Sequence, residues 1–201
     1  MRAAVPALGY LLGSLPFGYW ITWIKAGVDI RTVGSGNTGS TNVGRVCGRR
    51  TGHLVFVLDA AKGTAPALIA RALGLDVRWQ ILGAACAIIG HVYSVWLGFR
   101  GGKGVATAFG AFLGVAWITG LVGFAIYGLV LRCFRIVSLA SVCAAASIPL
   151  LMICFYPNDR YRLALGAGAA CLGIYKHRAN IARIAAGTEP RVGATAGPAG
   201  E

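Results

Sequence analysis

Long uncharged apolar runs govern what this chain can fold into. Residues 4–24, 79–99, 105–131 and 136–156 contain no Asp, Glu, Lys or Arg, and 54–73 and 161–175 contain very few. About twenty apolar residues cross the hydrocarbon core of a bilayer, and in lipid only a helix or a closed barrel satisfies every backbone polar group. Runs of this length select helices. The chain is 57% hydrophobic and 12% charged, against roughly a quarter charged in soluble proteins, and its mean hydropathy is +0.69. The expectation is an all-α integral membrane protein, one polytopic domain over residues 1–190 with no room for a soluble domain. Residues 191–201 read as a disordered tail. The first run resembles a signal peptide, but it is long for one and no secreted polar domain follows it, so it reads as the first helix.

Charge placement sets the number of spans. The run 105–131 is long for one helix and short for two. As one span, it would put Lys176, Arg178 and Arg183 across the membrane from Arg31, Arg45, Arg49 and Arg50, against the positive-inside rule. Folding back near residues 114–120 gives about seven transmembrane helices, some short. Glycine-rich loops, Arg100, Lys103, Arg132, Arg135 and the tail then lie in the cytoplasm. Arg2, Arg71, Arg78, Arg160 and Arg162 lie outside with the start of the chain.

Many of the 30 glycines fall in apolar runs. Gly9 with Gly13 and Gly110 with Gly114 have small-x-x-x-small spacing, which predicts close packing inside the bundle ahead of a dimer face. The six cysteines have no C-x-x-C spacing and read as small buried hydrophobes, not disulfides or metal ligands. The net charge of +13 has no soluble face on which to read nucleic acid. Anionic membrane lipid and small phosphorylated molecules are the partners it suits.

Three polar clusters interrupt the apolar pattern. The first, GSGNTGSTNVGR (34–45), combines glycines, the hydroxyls of Ser35, Thr38, Ser40 and Thr41, and the planar charge of Arg45. That is an anion cradle, with a flexible linker as the plain alternative. The second, GHVYSVWLGFRGGKGVAT (90–107), places Arg100, Gly101, Gly102, Lys103 and Gly104 at a helix start, where backbone donors, the positive helix end and two cations converge on a phosphate. Gly104 follows the lysine where a Walker A loop needs Ser or Thr, so nothing points to ATP. The third, KHRANIARIAAGTE (176–189), puts His177 and Asn180 on one helix face with Arg183 a turn on, or is a snorkelling basic helix end. Asp59 and Lys62, in DAAKG on the second span, should pair with each other or border the polar site. His53 and His91 read as interfacial residues rather than catalysts.

In this order and on this span pattern, the three clusters resemble the bacterial acyl-phosphate:glycerol-3-phosphate acyltransferase family, whose shorter second-span motif DAAKG is similar to. Ser94 departs from the pattern, which has proline there. The resemblance implies transfer of a fatty acyl group from acyl phosphate to the 1-hydroxyl of glycerol 3-phosphate, giving lysophosphatidic acid and phosphate, at the cytoplasmic face of a bacterial inner membrane. It implies catalytic roles for Ser35, Lys103, His177 and Asn180. It implies substrate contacts for Arg45, Gly36, Asn37, Thr41, Asn42, Arg100, Gly101, Gly102, Gly104, Ser141, Arg178 and Glu189. An acyl phosphate is already activated, so no covalent acyl-enzyme is required. No H-x-x-x-x-D motif exists, since His53, His91 and His177 are followed at that spacing by Leu58, Trp96 and Ala182. Six carboxylates are too sparse for magnesium-dependent phosphotransfer. No metal, nucleotide or coenzyme A is expected. The rival readings are a transporter for a phosphorylated anion, though no internal repeat is visible, and a lipid-binding scaffold.

Overall fold

The computed structural model describes residues 2–193, and all regular secondary structure among them is helical; of the tail expected at 191–201, residues 194–201 lie outside the described residues. In chain order the helices are α1 (Ala4–Ser14), α2 (Phe17–Ala26), α3 (Ser40–Cys47), α4 (Arg49–Ala72), α5 (Val77–Val92), α6 (Val105–Val115), α7 (Trp117–Phe134), α8 (Val137–Phe155), α9 (Arg160–Lys176) and α10 (Arg178–Ala185), with a 3-10 turn at Val95–Leu97. Five segments are long and apolar enough to cross a membrane: Ala4–Ala26, Arg49–Ala72, Val77–Leu97, Trp117–Phe134 and Val137–Phe155. Val105–Val115 is a shorter apolar helix.

The first run is not one continuous helix. Pro16 lacks the N–H that would continue the ladder, so the chain breaks between α1 and α2 and leaves the Leu15 carbonyl without a helical partner. Lys62 Nζ donates to that oxygen at 2.6 Å. The fold-back expected between 114 and 120 falls at Ala116, whose φ of −154° separates α6 from α7. The third run also ends earlier than 99: α5 stops at Val92 and a turn follows. Ser94 carries this turn with φ −66°, the value a proline would impose, and its hydroxyl donates to the Ser14 carbonyl at 2.6 Å.

Glycine lets pairs of helices meet backbone to backbone. A Cβ on Gly13 of α1 would lie 2.1 Å from the Ala87 carbonyl oxygen of α5, and one on Gly110 of α6 would lie 1.9 Å from that of Ala60 on α4. The two small-residue pairs therefore serve internal packing of α1 on α5 and α6 on α4. The main apolar core lies where α4, α5, α6, α8 and α9 converge, around Ala84, Ile88, Phe112, Val115, Ile148 and Met152. The cysteines correct an expectation: Cys133, Cys154 and Cys171 are exposed and Cys47, Cys86 and Cys143 half-buried, all as free thiols. Between apolar helices and lipid tails, a small hydrophobe gains little by facing inward.

The ends of the bundle differ in character. Arg71 donates to the Gly114 carbonyl at 2.9 Å and Arg162 to that of Val115 at 2.6 Å. Arg78 and Arg160 lie over the Tyr161 ring. The glycine loops, α3 and α10 gather at the opposite end, where the site is built.

Candidate active site

The third cluster is bent rather than continuous. His177 ends α9 and begins α10, with φ −100° and ψ 5°, so it stands at a corner instead of sharing one uninterrupted helix face with Asn180. Its ring is buried at 4% exposure, and Nδ1 lies 2.7 Å from the Gly173 carbonyl. A carbonyl only accepts, so Nδ1 carries the proton and Nε2 keeps the lone pair. Burial pushes the His177 pKa below the usual histidine range; the Gly173 bond opposes that, and the Lys103 charge adds to it.

Asn180 connects the second cluster to the third. Lys103 Nζ donates to Asn180 Oδ1, and Asn180 Nδ2 donates to Glu189 Oε1 at 2.6 Å. Lysine has no acceptor and a carboxylate no proton to give, so this pair of neighbours fixes the carboxamide's orientation. Glu189 also accepts from Ser138 Oγ at 2.6 Å and from Arg183 Nε at 2.7 Å. Burial alone would raise the Glu189 pKa; the three donated bonds outweigh it and hold the carboxyl below its usual range. For Lys103, burial pushes the pKa down. Glu189 opposes this, while the charges of Arg183, Arg45 and Lys176 push the same way. Lys103 therefore sits in a positive field, which suits an anion.

The first cluster is organised by its asparagines. Asn42, 1% exposed, donates from Nδ2 to the carbonyls of Ile30, Val33 and Asn37 and accepts from the Ser35 N–H at 2.9 Å. A carboxamide so committed is the loop's internal brace and not a substrate contact. Asn37 likewise accepts from the Gly39 N–H at 2.8 Å, and Gly36 supplies a left-handed turn at φ +67°. Ser35, Thr41 and Arg45 remain on the surface, with Thr41 and Arg45 one turn apart on α3.

The second cluster needs a larger correction. Gly101 and Gly102 were expected to present free backbone donors, but their N–H groups bond the Val92 and His91 carbonyls, each at 3.1 Å. Both glycines serve close packing on the end of α5: a Cβ on Gly101 would lie 2.0 Å from the His91 carbonyl oxygen. Gly104, at φ +83°, starts α6, so the open donors lie from there onward. Arg100 is exposed. Arg178 turns away, donating to the Tyr175 carbonyl and lying over the Tyr175 ring. Ser141 bonds back to the Val137 carbonyl at 2.9 Å; Ser138, one turn earlier and not singled out in the sequence, makes the Glu189 contact. Two polar serines three apart at the start of an apolar span were the available signal.

Asp59 and Lys62 pair at 2.8 Å, and both are buried. His91 is buried beside them, while His53 is exposed. The cavity that these buried groups border measures about 10 Å³, the size of one water molecule, and admits no phosphorylated cargo. A second cavity of about 590 Å³ is a groove between α5 and α9, lined by Ile81, Leu82, Ile88, Leu165 and Leu172 and bordered by Arg2, Arg78 and Tyr161.

The architecture and site together define a helical membrane protein with a cationic centre at one end of its bundle. Residues 3–187 match the family described as glycerol-3-phosphate acyltransferase. A glycerol-3-phosphate acyltransferase of Parasynechococcus marenigrum is 46% identical over 188 residues, covering 93% of this chain and 88% of its own. One from Prochlorococcus marinus is 47% identical over 188 residues, covering 92% of each. Two crystal structures of PlsY (YgiH), an integral membrane glycerol 3-phosphate acyltransferase, are similar to this fold. The glycerol 3-phosphate form has TM-score 0.89 and 41% identity over 96% of both chains. The lysophosphatidic acid form has TM-score 0.87 and 40% identity over 96% of this chain and 95% of that one. The chain belongs to the glycerol-3-phosphate acyltransferase family and is an acyltransferase.

Proposed function

We propose that this protein transfers a fatty acyl group from acyl phosphate to the 1-hydroxyl of glycerol 3-phosphate, giving lysophosphatidic acid and inorganic phosphate, the first acylation of phospholipid synthesis. The observation that carries this reading is the adjacency of two unlike spaces. Lys103, bonded to Asn180, lies in the positive field of Arg183, Arg45 and Lys176, and an apolar groove runs between α5 and α9 from Arg78 and Tyr161 at the far end of the bundle up to Leu172. Leu172 in the groove precedes Lys176 by one helical turn, about 6 Å along the axis. An acyl phosphate has the matching shape, an anionic head on an apolar chain.

In this reading Ser35, Arg45, Lys103 and the start of α6 hold phosphate, and His177 and Asn180 hold glycerol 3-phosphate by hydrogen bonds. The 1-hydroxyl oxygen attacks the acyl carbonyl carbon, the bond from that carbon to the phosphate oxygen breaks, and phosphate leaves. The hydroxyl proton passes to a phosphate oxygen of the donor, so positioning and charge stabilisation supply the catalysis. Residues 1–190 form the single catalytic domain, with about seven spans in a bacterial inner membrane and the three clusters in the cytoplasm.

The test is donor choice. Purified protein supplied with glycerol 3-phosphate should make lysophosphatidic acid from palmitoyl phosphate and none from palmitoyl coenzyme A. Turnover of the coenzyme A ester, with palmitoyl phosphate inert, would overturn the reading.

A further inference from the structure

The buried Asp59–Lys62–His91 cluster has no part in the chemistry above, yet it touches the loop that carries Lys103. A Cβ placed on Gly102 would meet three atoms of the His91 ring, at 2.3 Å from Nε2, 3.1 Å from Cε1 and 3.2 Å from Cδ2. The Gly102 N–H also donates to the His91 carbonyl at 3.1 Å. The residue immediately before Lys103 is therefore seated on both the ring and the backbone of His91. On its other edge, His91 Nδ1 faces Asp59 Oδ1 at 3.7 Å. Asp59 is held by Lys62 at 2.8 Å, and Lys62 by the Leu15 carbonyl that the break at Pro16 exposes.

Stability does not account for this arrangement. Charged groups within an apolar bundle are costly, and a buried ion pair is often no more stabilising than apolar residues of the same volume. Lys103 meanwhile needs a defined position, because its ammonium must reach Asn180 Oδ1 from a glycine-flanked turn with little side-chain packing of its own.

We propose that His91 is a positioning residue for Lys103: its ring, buried beside Asp59, seats Gly102 and so places the ammonium against Asn180. This rests on the reading that Lys103 anchors a substrate phosphate.

The test is a pair of double-mutant cycles in kcat/KM for glycerol 3-phosphate with palmitoyl phosphate as donor. His91→Ala should lower the wild-type value about 10- to 100-fold, the cost of a misplaced anchor. Added to Lys103→Ala, it should cost less than about twofold more, because the side chain it places is gone. Gly102→Ala should cost about tenfold or more in wild type and little in the His91→Ala background, where the ring it strikes is absent. Losses that multiply in the Lys103→Ala background, or a Gly102→Ala effect unchanged by His91→Ala, overturn the proposal. Should His91→Ala fail to fold, Gly102→Ala combined with Lys103→Ala decides in its place: no further loss supports positioning, and multiplication refutes it. A wild-type protein inactive with these substrates would remove the functional reading and this proposal together; an active one with multiplying losses removes only this proposal.

Discussion

Asn180 donates from Nδ2 to Oε1 of Glu189 at 2.6 Å, which turns the other end of its carboxamide toward Lys103. A carboxylate at a phosphate site looks misplaced until this bond is considered. Glu189 sits behind Asn180, gathering Ser138 and Arg183 as well, and its charge organises donors that would otherwise turn to solvent. Glu189→Ala should therefore lower kcat/KM roughly 10- to 150-fold, the equivalent of one charge-assisted hydrogen bond of about 1.5–3 kcal/mol. Ser138→Ala should cost less, because it removes one of three donors and leaves Asn180 and Arg183 bonded to the carboxylate. Steady-state kinetics of the two variants check the order; equal and negligible effects would contradict it.

The Arg45 charge on α3 acts on Lys103 at the start of α6. Arg45→Ala and Lys103→Ala should each weaken apparent affinity for substrate about 10- to 150-fold. Arg178→Ala should change it little, because that side chain packs on Tyr175. Unchanged affinity and turnover in Lys103→Ala would count against the site.

Helix packing gives a prediction about stability. The Cβ of a residue at position 13 would lie 2.1 Å from the Ala87 backbone oxygen, which no side-chain rotation relieves. Gly13→Val should force α1 from α5 and cost about 1–3 kcal/mol, read as a lowered thermal midpoint of the detergent-solubilised protein.

Much of this was legible in the residues. Uncharged runs marked the spans, and the three clusters that share one end of the bundle are the ones that looked out of place in an apolar chain. Other features escaped for physical reasons. The break at Pro16 lies inside a run with no charge, so hydropathy reads straight across it. Gly101 and Gly102 looked like phosphate ligands because a glycine that admits a ligand and one that admits another helix leave the same mark. Asn42 looked like a substrate contact because nothing local reveals that its amide folds inward onto Ile30, Val33 and Asn37. The cysteines were expected inside because apolar character sorts residues in water, and in lipid it does not.

Contacts between charged residues and helix ends tell the two ends of the bundle apart, and the positive-inside rule makes the end with Arg45 and Lys103 the cytoplasmic one in our proposal. Arg71 and Arg162 bond the carbonyls at the end of α6, away from Arg45, Lys103 and Arg183. Single-cysteine labelling at positions 49 and 132 should report the cytoplasmic side, and at positions 2 and 160 the outer side. Labels at 49 and 160 on one face would contradict this.

The pH profile addresses His177. Burial lowers its pKa from the ordinary value of about 6.5, so the ring stays neutral down to a more acidic pH than a free histidine would. Its protonation, and the loss of the Nε2 acceptor, is thus confined to pH below the usual histidine range. The acidic limb of turnover should then come from protonation of substrate phosphate and persist in His177→Asn and His177→Gln with substantial residual activity. A limb near the ordinary histidine value that vanishes in both variants, with turnover nearly abolished and binding intact, would make His177 the general base instead.

The most direct measurement of the central claim follows both products of one reaction. With palmitoyl phosphate and glycerol 3-phosphate, purified protein should release inorganic phosphate and form lysophosphatidic acid in equal amounts, with little phosphate released when glycerol 3-phosphate is omitted. Phosphate released without lysophosphatidic acid, at the same rate whether or not glycerol 3-phosphate is present, would show hydrolysis rather than acyl transfer and contradict the account.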